Sequence, residues 1–154
     1  GLDALKYFWE KKTPLQLATD INKVIEVYSS EWKKEKFILV GYSFGADVMP
    51  FAYNRLPENV KKNVAGLGLL SPSKETDMEI HVSDLLDFSD NANGMSVPSE
   101  INKVENLKPT CFFGKEEEDT PVKQLSSQKV KIVYLPGGHH YVNAFETIAA
   151  IMIP

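Results

Sequence analysis

A single cysteine, Cys111, occurs in the 154 residues, which excludes a disulfide within the chain. It lies in the apolar run Thr110-Cys111-Phe112-Phe113 with no activating or metal-ligating set nearby in sequence, so it reads as a small buried hydrophobe. No apolar stretch approaches the roughly eighteen residues that a membrane span needs, and the chain is expected not to cross a bilayer. Positive charge is scarce: 17 Lys and Arg against 21 Asp and Glu leave a net charge of −4. With no long basic block, a nucleic-acid backbone is an unexpected partner. Repeats, linkers and low-complexity segments are missing. So is a signal peptide, although the opening Gly1-Leu2-Asp3 is not a native start and reads as the beginning of a mature or trimmed chain. What is present, 43% hydrophobic and 25% charged residues, fits one globular domain over residues 1–154 with a sizeable core.

The most informative stretch is Gly41-Tyr42-Ser43-Phe44-Gly45, a G-x-S-x-G pattern. Before it, Phe37-Ile38-Leu39-Val40 is β-prone and uncharged and reads as a strand buried on both faces; after it, Ala46 to Leu56 reads as helix. In that context the pattern is a nucleophile elbow, a tight turn that lifts a serine hydroxyl off a sheet edge. Gly41 and Gly45 are both expected to avoid crowding where the chain doubles back. At a helix start, Ser43 gains free backbone N–H groups and the positive end of the helix dipole, which suit an oxyanion. The plainer alternative is that Ser43 is only a small turn residue.

In chain order, Leu2 to Trp9 is aromatic-rich and fits a strand end leading into a loop, with Lys6 to Trp9 either bordering a pocket or capping the core. Thr13-Pro14-Leu15-Gln16 carries a helix start, with Thr13 as N-cap, Pro14 at the first position and Gln16 closing a capping box. Ile21, Val24, Ile25, Tyr28 and Trp32 then recur at helical spacing to about Lys34. A second strand is expected over Ala65 to Leu70, ending in Ser71-Pro72-Ser73. Strand, helix, strand at this spacing demands a crossover connection, hence a parallel sheet with helices on its faces. Residues 74–109 are irregular and acidic, with alternation over Met78 to Val82 suggesting a short strand and Asp90 to Gly94 a loop. This region is either a lid or a solvated loop. Strands follow at Thr110 to Phe113, which runs into Lys115-Glu116-Glu117-Glu118-Asp119-Thr120-Pro121, and at Val130 to Leu135, which runs into Pro136-Gly137-Gly138-His139-His140-Tyr141. Phe145, Ile148, Ala149 and Met152 mark a last helix.

Ser43, an acidic cluster and a histidine pair thus sit at the carboxyl ends of successive expected strands, in the order serine, acid, histidine used by α/β-hydrolases. A serine hydroxyl becomes nucleophilic when an imidazole takes its proton, and a carboxylate holds that imidazole in the useful tautomer. His139 is favoured as base over His140 because Tyr141 stands two residues after it. Asp119, preceding Thr120-Pro121, leads as acid, with Glu118 and Glu117 behind. His81 is read as structural or lid-lining. A metal role for His139 and His140 is disfavoured, since adjacent histidines diverge and no ligand spacing accompanies them; no cofactor is expected.

Several longer stretches carry a more specific likeness: Leu2 to Trp9 with Thr13-Pro14, Gly41 to Val48 through Pro50-Phe51 and Asn54-Arg55-Leu56-Pro57, Leu69 to Ser73, Glu79-Ile80-His81-Val82, and Gly137-Gly138-His139-His140-Tyr141. Over nearly the whole chain the sequence resembles the VirJ-type bacterial virulence protein family, which includes the AcvB proteins. The resemblance implies a three-layer α/β-hydrolase fold with a mostly parallel sheet flanked by helices. It also implies export to the periplasm, association with type IV secretion and its proteins, and hydrolysis of an ester such as aminoacyl-phosphatidylglycerol at a membrane surface. A non-catalytic periplasmic binding partner with the same fold is the alternative. The family domain normally begins earlier, with a strand and a glycine-containing loop that supplies the second oxyanion donor. A chain starting at Gly1 is therefore expected to lack N-terminal strands and to rely on the Phe44 N–H, with Tyr42 beside it as a substrate contact.

Overall fold

A computed structural model of the chain describes residues 4–79 and 94–153. Four strands, β1 (Phe37–Tyr42), β2 (Val64–Leu70), β5 (Thr110–Gly114) and β6 (Lys131–Leu135), form one sheet in the order β1-β2-β5-β6. Every pair is parallel, with Tyr42 beside Leu70, Leu70 beside Phe112 and Gly114 beside Leu135. All four carboxyl ends therefore open onto one edge. Parallel neighbours require crossovers, and the helices α2 (Pro14–Trp32), α3 (Phe44–Arg55), α5 (Val97–Ile101) and α6 (Phe145–Met152) flank the sheet. A separate two-stranded antiparallel ribbon joins β3 (Glu75–Thr76) to β4 (Met95–Ser96), and a short α4 (Glu58–Lys61) precedes β2.

Side chains alternate across the sheet as the pleat requires. Leu67 and Leu69 of β2, Cys111 and Phe113 of β5 and Ile132 of β6 face the main core with Phe51 and Tyr53 of α3 and Ile25 of α2. Leu70, Phe112 and Leu135 face the other way, against Tyr141 and Ile148. On that second side Met152 of α6 lies over Gly66 and Gly68, so the helix sits close above β2. Its reach ends there. β1 pairs only with β2 among the described residues, and Val40 and Tyr42, on the α6 side, stay about half exposed. The expected strand buried on both faces is thus an edge strand with one covered face.

The α2 cap is realised as the sequence predicts: Gln16 N–H donates to Thr13 Oγ1 at 3.2 Å, and Thr13 N–H donates to Gln16 Oε1 at 2.9 Å. Lys33, left-handed at φ 53°, ends the helix just short of the expected Lys34. Its apolar stripe is less buried than the spacing suggests, for Val24 and Trp32 are exposed and Trp32 stacks on Tyr28 at 4.4 Å. The N-terminal aromatics depart further from expectation. Ala4–Tyr7 is a single helical turn, α1, rather than a strand end. Tyr7 donates to Asp20 Oδ2 at 2.7 Å, and Phe8 is buried with Leu17, Val48 and Met78, edge-on to Phe44 at 4.9 Å. These aromatics find their burial against α2 and α3, which leaves them no reason to extend the sheet. Of the Met78 to Val82 alternation, Met78 and Glu79 are described and not in a strand, while residues 80–93, including His81 and most of the Asp90 to Gly94 loop, lie outside the described residues.

One buried carboxyl ties the elbow helix to the loop that follows β2. Asp47 of α3 is 7% exposed, and its Oδ1 accepts the Ser73 N–H at 2.6 Å, fixing the loop that follows β2. Burial pushes its pKa up to about 7, against the hydrogen bonds from Ser73, which favour the charged form. A raised folded-state pKa means that the stabilisation is complete below the unfolded value of 3.8 and is lost as pH climbs through about 7. Conformational stability measured by denaturant titration should therefore fall by up to about 4 kcal/mol between about pH 4 and pH 8 on account of this residue. Asp47→Asn, whose carbonyl still accepts from Ser73, should flatten that dependence and exceed the parent in stability at the alkaline end; an unchanged profile would assign the slope to other groups.

Candidate active site

The site is assembled by backbone passing very close to backbone at two points. At the β1–α3 turn a Cβ on Gly41 would land on the carbonyl of Gly45, so only glycine fits there. Gly45 does not share this constraint: a Cβ on it would meet nothing within 4 Å, which corrects the expectation that both glycines are sterically required. The turn holds Ser43 at φ 53° and ψ −123°, an uncommon conformation for a residue with a side chain. It is pinned by Ser43 N–H donating to Leu70 O at 2.9 Å and by Ala46 N–H donating to Ser43 O at 2.7 Å. Phe44 and Gly45 then open α3, where first-turn N–H groups have no partner inside the helix.

The second close approach is at Gly114, the last residue of β5. A Cβ there would stand 2.5 Å from Gly137 O and 2.6 Å from Gly138 O. The acid-rich loop and the histidine loop consequently run side by side, with Lys115 N–H donating to Leu135 O at 2.9 Å and Glu116 N–H to Gly137 O at 3.2 Å.

These two approaches bring three side chains into line. His139 Nε2 lies 3.0 Å from Ser43 Oγ, and His139 Nδ1 lies 3.5 Å from Glu117 Oε2. Glu117 is well covered, and its other oxygen, Oε1, accepts from Gly114 N–H at 2.5 Å and from Ser71 Oγ at 2.7 Å. Beneath it, the Tyr141 hydroxyl shares its one proton between Ser71 Oγ at 2.6 Å and Phe112 O at 2.8 Å. Burial, reinforced by the nearby Glu117 charge, raises the Tyr141 phenol well above its ordinary pKa, so it remains a neutral donor. Ser71 and Tyr141 both have left-handed backbone, each at φ 50°.

Asp119, the leading acid in the sequence, is elsewhere. Its side chain is 84% exposed and paired with Lys74. The physical reason lies in the turn geometry: Glu117 N–H donates to Gly114 O at 3.2 Å, folding residue 117 back over the end of β5, while two further residues carry Asp119 out to solvent. Glu116 and Glu118 are exposed too. His140 meets Tyr42 instead, its Nδ1 3.3 Å from the hydroxyl, and its ring stands edge-on to His139 at 5.8 Å. Tyr42 also covers His139 at 5.4 Å between ring centres, and its pKa is raised by burial and by Glu117. The Phe44 ring packs edge-on against Phe8 at 4.9 Å. Two hydroxyls, those of Ser71 and Tyr141, escaped the sequence reading. Both lie in family-like stretches, Leu69 to Ser73 and Gly137 to Tyr141, but neither stretch signals a hydroxyl directed toward Glu117.

Among the described residues no group of three or more His, Cys, Asp or Glu side chains is arranged to hold a metal ion, and no helix is long and apolar enough to cross a membrane.

A model of the bacterial virulence protein (VirJ) family matches residues 1–154. The chain belongs to the VirJ family. No curated protein matches it, but its fold is similar to that of a solved structure, the thioesterase domain from the curacin biosynthetic pathway. That similarity has a TM-score of 0.61 at 15% identity and covers 99% of this chain and 75% of the other. The VirJ chain therefore has the α/β-hydrolase fold that its parallel sheet and flanking helices describe.

Proposed function

We propose that this VirJ family member is a serine ester hydrolase acting through an acyl-enzyme, with Ser43 as nucleophile, His139 as general base and Glu117 as the acid that orients it. The observation that carries the reading is the pair of contacts on one imidazole: Ser43 Oγ at 3.0 Å from Nε2 and a carboxylate oxygen facing Nδ1 at 3.5 Å. With Glu117 accepting from Nδ1–H, the lone pair of Nε2 is directed at the serine proton. His139 takes that proton as Oγ attacks the ester carbonyl carbon, and the Phe44 N–H stabilises the resulting oxyanion. The protonated ring then gives its proton to the departing alkoxide. A water molecule, deprotonated by the same nitrogen, attacks the acyl-enzyme and releases the acid, restoring Ser43.

For the substrate we propose an aminoacyl ester of a lipid such as phosphatidylglycerol, met at a membrane surface in the periplasm in association with type IV secretion. In support, Glu116 and Glu118 are exposed on the acid loop and add to a chain of net charge −4, a field that favours an ester bearing a free ammonium.

Labelling and hydrolysis assays test these statements. A fluorophosphonate probe should label the protein but not Ser43→Ala. Glu117→Gln should slow ester hydrolysis by about 10³–10⁴-fold, as expected when the imidazole loses its orienting anion, whereas Asp119→Asn should stay within about threefold of the parent. His139→Ala should abolish turnover and His140→Ala should retain most of it. Absence of labelling would instead favour a binding module with a hydrolase fold; loss of activity in Asp119→Asn alone would return the acid role to the exposed carboxylate.

For substrate charge, kcat/KM for matched lysyl and neutral acyl esters is to be compared at low and high salt. The lysyl ester should be preferred at low ionic strength, with the preference shrinking as salt screens the field. Equal rates at low salt would leave pocket shape as the determinant.

A further inference from the structure

Glu117 is held by more than its own loop. Its Oε1 accepts from Gly114 N–H at 2.5 Å and from Ser71 Oγ at 2.7 Å, and with both donors on Oε1 the remaining oxygen, Oε2, is the one that faces His139. The Ser71 hydroxyl has one proton, which goes to Glu117. It must itself be oriented, and the buried Tyr141 hydroxyl does so by donating to Ser71 Oγ at 2.6 Å, while Phe112 O, 2.8 Å from the same hydroxyl, also accepts the Ser71 N–H at 2.9 Å. Tyr141 is 1% exposed and Ser71 5% exposed, so no bulk water replaces either group. The two residues also come from different loops: Ser71 follows β2, whereas Tyr141 is two residues beyond His139. Their contact therefore sets the histidine loop, the acid and the end of β5 in mutual register.

We infer that Ser71 and Tyr141 are positioning residues that lock the Glu117 carboxylate in the orientation in which it faces Nδ1 of His139. The inference rests on the Ser43, His139 and Glu117 reading above. Without the Ser71 hydroxyl the carboxylate is left with the single Gly114 N–H as pivot and turns away from the ring. Without the Tyr141 hydroxyl, Ser71 is free to direct its proton elsewhere. Other polar neighbours of the imidazole, Tyr42 and His140, stack on or abut its ring rather than facing Nδ1, so they do not substitute for the carboxylate.

The test uses Tyr141→Phe and Ser71→Ala, with folding checked by circular dichroism, and reads two quantities. One is the tautomer of neutral His139, observed by ¹⁵N NMR. The parent should hold the proton on Nδ1, and both variants should shift measurably toward the Nε2–H form, a change that a purely structural role would not produce. The other is kcat against KM for an ester substrate: kcat should fall by about tenfold to a hundredfold, with KM within about twofold, a fraction of what losing the acid itself costs. Folded variants that keep the parent tautomer overturn the inference, whatever the activity. Failure of the parent to react at Ser43 would strike the hydrolase reading instead, while the tautomer measurement still decides the role of Ser71 and Tyr141. If Ser71→Ala does not fold, Tyr141→Phe, which keeps its ring in the core, decides alone.

Discussion

The arrangement at the carboxyl edge of the sheet depends on how closely one stretch of backbone passes another at Gly41 and Gly114. At the first, the strand turns into α3 with no room for a β-carbon, which forces Ser43 into a conformation that presents its hydroxyl outward. At the second, the end of β5 touches the Gly137-Gly138 backbone, and that contact lets a glutamate of one loop meet a histidine of the next. Everything else in the sheet serves to hold these approaches in register. Parallel pairing places Tyr42, Leu70 and Phe112 in one row, so the loops that follow them emerge together. The core beneath, packed from Phe51, Leu67, Leu69 and Phe113, makes that row rigid.

Much of this was legible in the chain itself, because the signals concerned were local. A capping box announces a helix start through hydrogen bonds among four consecutive residues, and Thr13 to Gln16 makes those bonds. Apolar runs bounded by glycine and proline mark strands within a residue or so of where they lie, as at Val64–Leu70 and Lys131–Leu135. The elbow motif likewise has its meaning inside five residues. The readings that failed were those that depend on partners distant in sequence. Whether Leu2 to Trp9 extends or coils is decided by Leu17, Val48 and Phe44, none of which its own pattern reveals. The exposure of Val40 and Tyr42 follows from the reach of α6, a helix a hundred residues further on.

The carboxylate that faces His139 shows the same limit at finer scale. Four consecutive carboxylates present nearly identical sequence, and what separates them is the direction in which a turn after Gly114 aims each Cβ. Glu117 folds back because its own N–H reaches Gly114 O, whereas Asp119 extends to Lys74 at the surface. An exposed pair of that kind contributes little stability and is weakened by salt. A carboxylate backed by a backbone N–H and a buried hydroxyl keeps its place at any ionic strength. The contrast between a solvated charge and a lodged one is therefore physical, and no amount of composition reveals it.

Three residues of this edge, Ser43, Ser71 and Tyr141, carry left-handed backbone although none is glycine. Conformations of this kind cost on the order of 1–3 kcal/mol each and persist only where the surroundings enforce them. The domain thus spends part of its stability on the shape of three loops. Glycine at position 71 or 141 would relax the chain and at the same stroke delete a hydroxyl of the hydrogen-bond chain that reaches Glu117. Backbone ease and the placing of these hydroxyls therefore pull in opposite directions at those positions.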